Sequence, residues 1–216
     1  MEMRFGGIAW DVDGTLADSE PRHHRALLAA SRRWGVDLAA LPEAAFRGLH
    51  NADVWESLRS RFPASLARDT WLDAIDDAYV DDDGPIHPMP GALDAMRGLT
   101  GRGIGQVCVS NSNRRIVTAN LAALGVQHLV AGIIGLDDVA VGKPDPTPYR
   151  AGCALLGLPP GRVVAVEDSA TGVAAARTAG LFVVGFAGPG TPAPAGADLV
   201  TDDLRDVLGL FVVNGG

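Results

Sequence analysis

The stretch GGIAWDVDGT, residues 6–15, runs an apolar segment with the build of a buried strand straight into two carboxylates, Asp11 and Asp13. In extended backbone, side chains at i and i+2 share a face. Two like charges that close repel, and one takes up a proton unless a cation stands beside them. Residues 5–11 are therefore predicted as a first strand, punctuated at Gly14. Its polar end either lies harmlessly in water or belongs beside something positive.

The remainder of the chain supports a domain built around that strand. Its 216 residues suit one large domain or a domain with an insert, and 47% apolar against 20% charged residues supply a proper core. A formal charge of -8 argues against a nucleic-acid or anionic-membrane surface, while leaving room for a small anionic substrate in a local cationic pocket. Cys108 and Cys153 each sit in an apolar segment and read as packed, reduced thiols. No basic-then-apolar opening marks a signal peptide, and no apolar run approaches the roughly 18 residues of a membrane span. A cytoplasmic chain is expected. No heptad or long apolar patch stands out, so a monomer is expected too.

Residues 20–83 read as helical throughout: Pro21 to Trp34, a short helix opened by Pro42, Ala52 to Arg61, and a fourth over 63–83. Flanking them, GTLADSEP and DGPIHPMPG have the composition of two hinge strands around an inserted domain. Beyond that the pattern alternates. Strands are predicted in IGQVCVS, HLVAGIIG, RVVAVED and LFVVGFA, with helices over 89–99 (Pro90 in the first turn), 114–124, 147–156 and 170–180. A last short strand and helix are expected in ADLVTDDLRDVLGL. Such alternation suits right-handed parallel crossovers and hence an α/β fold, a doubly wound, Rossmann-like parallel sheet. The expected core is 1–16 with 88–216, and the mostly helical insert with its hinges is 17–87.

In open α/β sheets the working site lies beyond the carboxyl ends of the strands. There the sequence places Asp11 and Asp13, then Ser110 and Asn111, then Glu167 and Asp168, while Lys143 stands in a loop stiffened by Pro144, Pro146 and Pro148. Carboxylates converging on one crevice call for a divalent cation. Mg²⁺ is the natural candidate, since it prefers oxygen ligands and commonly binds one or two carboxylates plus a substrate phosphate.

With DVDGT, VSN, GKPDP and VEDSATGV in that order, the sequence resembles the haloacid dehalogenase-like hydrolase superfamily, across almost the whole chain and including a helical cap after the first motif. The branch it looks most like holds phosphoglycolate phosphatases and β-phosphoglucomutase. The resemblance implies that Asp11 is the nucleophile, forming an aspartyl-phosphate, and that Asp13 is the general acid and base, its backbone carbonyl on Mg²⁺. It implies further that Ser110, Asn111 and Lys143 hold the phosphoryl oxygens, and that Asp168 completes the metal shell with Glu167 as a direct or water-mediated helper. The expected substrate is a small phosphorylated metabolite.

Selection would fall to the cap. His23 stands where the sugar-phosphate mutases carry a cap histidine; a surface imidazole is the plainer alternative. FRGLHNADVWESL resembles the specificity loop, with Gly48 as its turn and Arg47 beside it. Where the mutase has an arginine gripping a second phosphate, this chain has the neutral Asn51. Hydrolysis is therefore expected ahead of a β-phosphoglucomutase-like isomerisation. Asp13 counts against a metal-free dehalogenase, which lacks that residue. The Asp11-Val12-Asp13 spacing and the helical insert count against a phospho-accepting receiver domain, and the intact motifs against a purely binding module. GRGIGQ (101–106) precedes its strand and reads as a helix-ending turn, not a dinucleotide fingerprint.

Overall fold

The computed structural model describes residues 4–41 and 51–212, except for the side chains of Asn51 and Ala52. The chain divides into two compact units, one of Met1–Asp18 with Ile86–Gly216 and one of Ser19–Pro85.

The first unit is a six-stranded parallel sheet with helices on both faces. Its strands are β1 (Gly7–Trp10), β4 (Gly105–Val109), β5 (Gly132–Ile134), β6 (Val163–Glu167), β7 (Phe182–Phe186) and β8 (Leu199–Thr201), in the spatial order β5-β4-β1-β6-β7-β8. Every neighbouring pair is parallel. The chain builds outward from β1 on one side and then crosses to the other. That reversal opens a crevice at the carboxyl ends of β1, β4 and β6.

Strand alternation feeds two separate cores. Ile8, Trp10, Cys108, Val164, Val166 and Val184 point to one face, where α4 (Ala92–Gly101), α5 (Arg114–Ala123) and a closing 3₁₀ helix (Leu204–Phe211) cover them. Ala9, Val107, Val109, Ala165 and Val183 point to the other, against α6 (Thr147–Leu156) and α7 (Ala170–Ala179). Both cysteines are free and buried. A polar pair crosses the first core: Trp10 Nε1 donates to Gln106 Oε1 at 2.9 Å, and Gln106 Nε2 donates to the Met96 carbonyl at 2.9 Å.

Two short strands, β2 (Ala17–Asp18) and β3 (His87–Pro88), pair antiparallel at the points where the chain leaves and re-enters this unit. Between them, the second unit contains α1 (Glu20–Arg32), α2 (Asn51–Leu58) and α3 (Arg68–Asp81). α1 packs on α3, with Ala26, Leu27, Trp71 and Ile75 buried. Trp55, Phe62 and Trp71 form an aromatic cluster with ring centroids 5.4–5.7 Å apart. In the acidic run after α3, Asp82 accepts from Arg25 Nε at 2.7 Å and from the Gly84 N–H at 2.6 Å.

Several boundaries differ from expectation. The third described helix begins at Arg68, because the Pro63 carbonyl closes a turn with the Leu66 N–H. Pro90 lies before α4, whose N-cap Gly91 has φ 76°; its missing Cβ admits the backbone of Leu204 and Arg205. The final helix is 3₁₀ rather than α, and the HLVAGIIG strand shrinks to Gly132–Ile134 behind a 3₁₀ turn at Gln127–Leu129. Short 3₁₀ turns such as Gln127–Leu129 are common connectors. The Pro42 helix lies outside the described residues.

Candidate active site

β1 delivers Asp11 to the crevice: the Asp11 N–H donates to the Val166 carbonyl at 3.0 Å, one step beyond the strand. The chain then turns sharply. The N–H groups of Leu16 and Ala17 return to the Val12 carbonyl, and Gly14 adopts φ 83°. Glycine is required there twice over, for its positive φ and because a Cβ would run into the Asp168 carboxylate. The turn therefore lays the DGT segment directly against the end of β6.

β6 supplies Glu167 and Asp168. Glu167 is fully buried and takes three donors: Lys143 Nζ at 2.5 Å, the Tyr149 hydroxyl, and Ser169 Oγ at 3.2 Å. Ser169 in turn caps α7 by accepting from the Gly172 N–H at 3.0 Å. A Cβ at Gly172 would occupy the Glu167 carboxyl, so a glycine lets the first turn of α7 close over this acid.

Lys143 Nζ also donates to Asp11 Oδ1 at 2.7 Å, and its side chain is only 3% exposed. Asn111, just past β4, grips the backbone of that lysine from both sides. Its Oδ1 accepts from the Lys143 N–H at 2.8 Å, and its Nδ2 donates to the Lys143 carbonyl at 3.0 Å. Asp13 stands across from Ser110: its Oδ2 accepts from Ser110 Oγ at 3.3 Å and from Ser112 Oγ at 2.8 Å, and its Oδ1 from Asn120 Nδ2 at 2.9 Å.

Electrostatics single out one cluster. Among the described residues, carboxylate oxygens of Asp11, Glu167 and Asp168 lie within 4.8 Å of one another. One ammonium faces three carboxylates, which leaves an excess of negative charge. Burial raises the Asp11 carboxyl well above its usual range, with Lys143 pulling the other way. Burial and the charge of Glu167 push Asp168 up to about 7. Burial alone would lower the lysine's pKa, but Asp11 and Glu167 outweigh it and raise Lys143 above its ordinary value. Tyr149 is raised by burial and by the charges of Glu167 and Asp11, so it stays a hydrogen-bond donor. Hard oxygen donors carrying uncompensated charge are what Mg²⁺ takes.

A family model described as haloacid dehalogenase-like hydrolase matches residues 5–180. The chain belongs to that family. This haloacid dehalogenase-like hydrolase is 34% identical over 215 residues to the phosphoglycolate phosphatase (plasmid) of Cupriavidus necator, covering 93% of this chain and 90% of that protein. It is 31% identical over 217 residues to hexitol phosphatase A of Escherichia coli, covering 95% and 94%. The crystal structure of CbbY from Rhodobacter sphaeroides in complex with phosphate superposes with a TM-score of 0.81 at 30% identity, covering 94% of this chain and 96% of that one.

The hydrolase's remaining predicted residues belong to the helical unit. His23 is on α1, its ring 4.4 Å from that of Tyr79 by centroid. Asn51 opens α2, its side chain outside the described residues, as are Arg47 and Gly48 altogether. Tyr149, Ser112, Ser169 and Asn120 also join this cluster of hydrogen bonds and escaped sequence reading. Tyr149 occupies the inward face of an apolar helix and Asn120 interrupts another, so a polar residue at a core position is the signal they carry. Among the described residues, no helix is long and apolar enough to cross a membrane.

Proposed function

We propose that this hydrolase is a Mg²⁺-dependent phosphatase that hydrolyses a small phosphorylated metabolite, a sugar phosphate or a phosphoglycolate-like ester, through an aspartyl-phosphate. The convergence of Asp11, Glu167 and Asp168 around the Lys143 ammonium, at the reversal point of the sheet, carries this reading. The phosphatase relatives and the phosphate-bound neighbour support it.

Asp11, Asp168 and the Asp13 backbone carbonyl would hold Mg²⁺, with Glu167 ligating directly or through a water. The bound ion supplies charge neutralisation for the phosphoryl oxygens. Asp11 attacks phosphorus in line; its oxygen–phosphorus bond forms as the bond to the ester oxygen breaks. Asp13 gives its proton to that leaving oxygen. In the second half Asp13 takes a proton from water as the water oxygen bonds phosphorus and Asp11 departs. Ser110 and Lys143 hold the phosphoryl oxygens, and Asn111 fixes the lysine backbone beside them. Phosphoryl transfer asks a protein chiefly for alignment and charge stabilisation, which this arrangement provides. His23, Arg47, Gly48 and Asn51 select the substrate.

The test is phosphate release from a panel of phosphoglycolate, hexose, polyol and nucleotide phosphates, with and without Mg²⁺ and with Asp11→Asn as control. Metal-dependent release from one favoured ester, abolished in a folded Asp11→Asn protein, is expected. Conversion of β-glucose 1-phosphate to glucose 6-phosphate with a bisphosphate primer, and little free phosphate, would make the enzyme a mutase instead.

A further inference from the structure

α5 carries a polar residue where its packing asks for an apolar one. Ile116, Val117 and Leu121 bury the inner face of this helix, yet Asn120, on the same face, is 0% exposed. A primary amide inside an apolar layer is costly unless it is hydrogen-bonded. Asparagine also weakens a helix interior relative to leucine or alanine. Its Nδ2 is spent on Asp13 Oδ1 at 2.9 Å, across 107 positions of sequence. The other oxygen of the same carboxylate accepts from Ser112 Oγ at 2.8 Å. Ser112 is also tied to Ser110, since its N–H donates to Ser110 Oγ at 2.9 Å.

We propose that Asn120 and Ser112 are positioning residues that fix the Asp13 carboxylate for proton transfer. Donors on both oxygens restrain both side-chain torsions of Asp13, which a single bond would leave free to rotate. Asp13 lies on a turn at the strand end rather than in the sheet, so backbone pairing alone does not fix its carboxyl plane. An acid must stand within hydrogen-bond reach of the oxygen it protonates, and a misplacement of about 1 Å costs on the order of 100-fold in rate. The amide thus trades core packing and helix propensity for alignment of a group at the mouth of the crevice.

This inference rests on the acid–base role proposed above for Asp13, and the experiment separates the two. The kcat/KM of Asn120→Ala, Ser112→Ala and Asp13→Asn is measured with p-nitrophenyl phosphate, whose leaving group departs without a proton, and with the alkyl phosphate favoured in the substrate panel. kcat/KM reports the first phosphoryl transfer, where the leaving oxygen needs its proton. Both alanine variants are expected to lose at least tenfold with the alkyl ester and under threefold with the aryl ester, and Asn120→Gln, which keeps a donor, is expected to recover part of the loss. Ser112 is on a half-buried loop, so Ser112→Ala keeps the test open should Asn120→Ala fold poorly. Equal losses on both esters, or none, with Asp13→Asn still selective against the alkyl ester, would overturn the positioning role alone. An unselective Asp13→Asn would overturn the role of Asp13 and this inference with it.

Discussion

Lys143→Met removes the cation seated among the buried acids while keeping an apolar stem of similar length. Lys143 Nζ lies 2.7 Å from Asp11 Oδ1 and 2.5 Å from Glu167 Oε1, and the side chains of the two acids are 11% and 0% exposed. At an effective dielectric near 20, each contact is worth ~6 kcal/mol of gross Coulomb attraction. Repulsion among the acids and desolvation of all the charges offset much of it. The net loss on breaking such a buried pair is about 3–5 kcal/mol, because it strands uncompensated charge. For a protein of this size that corresponds to a fall in Tm of roughly 6–20 °C. The assay is a thermal melt of the metal-free protein at about pH 8, repeated at about pH 5 and with Mg²⁺. At the lower pH the raised acids take up protons and the deficit should shrink. Mg²⁺ should restore more stability to the variant than to the parent, since the ion replaces the missing charge. A Tm within about 2 °C of the parent in metal-free buffer at pH 8 would refute the claim that the ammonium holds these acids together.

Three further outcomes follow from the same geometry. Gly172→Ala drives a methyl group into the Glu167 carboxyl and should cost about 1–3 kcal/mol by urea denaturation, together with Mg²⁺ affinity; an unchanged midpoint would mean α7 can retreat freely. Trp10→Phe strips the donor from Gln106 Oε1 in the core and should cost about 1–3 kcal/mol; a neutral result would show that the amide finds another partner. With its carboxyl pushed up to about 7, Asp168 keeps a proton in the folded metal-free protein that the unfolded chain has released from about pH 4 upward. The folded state then binds more protons, so metal-free stability falls as pH rises across that window. Mg²⁺ must displace this proton, so its thermal shift should grow between about pH 6 and pH 8; a pH-independent shift would remove Asp168 from the ligand set.

The sheet was legible because each strand is a short apolar run closed by Gly, Pro or an acid, and because the runs alternate with helical periods. The crevice was legible for a related reason: carboxylates at the ends of apolar runs conflict with burial, and the conflict marks a site. What stayed hidden was the support behind those residues. Tyr149 reads as one more aromatic in a helix, and nothing local ties it to Glu167, 18 positions on. Asn111 reads as a strand-end polar group beside Ser110, while its amide bonds the backbone of Lys143, 32 positions away. Such partnerships depend on which loops the sheet order brings together, a property no window of sequence carries. Element ends were missed for the opposite reason, being set by single turns such as Gly91 whose geometry outweighs periodicity.

The antiparallel pairing of Ala17 with Pro88 and Asp18 with His87 has an evolutionary meaning. The inserted helices begin and end at one doorway, a single strand spacing wide, about 5 Å. Any module whose two ends come that close can be exchanged there by recombination without disturbing the order of the six parallel strands. A lineage can thus change the helices behind that doorway while the six strands, and the residues at their ends, keep their inheritance.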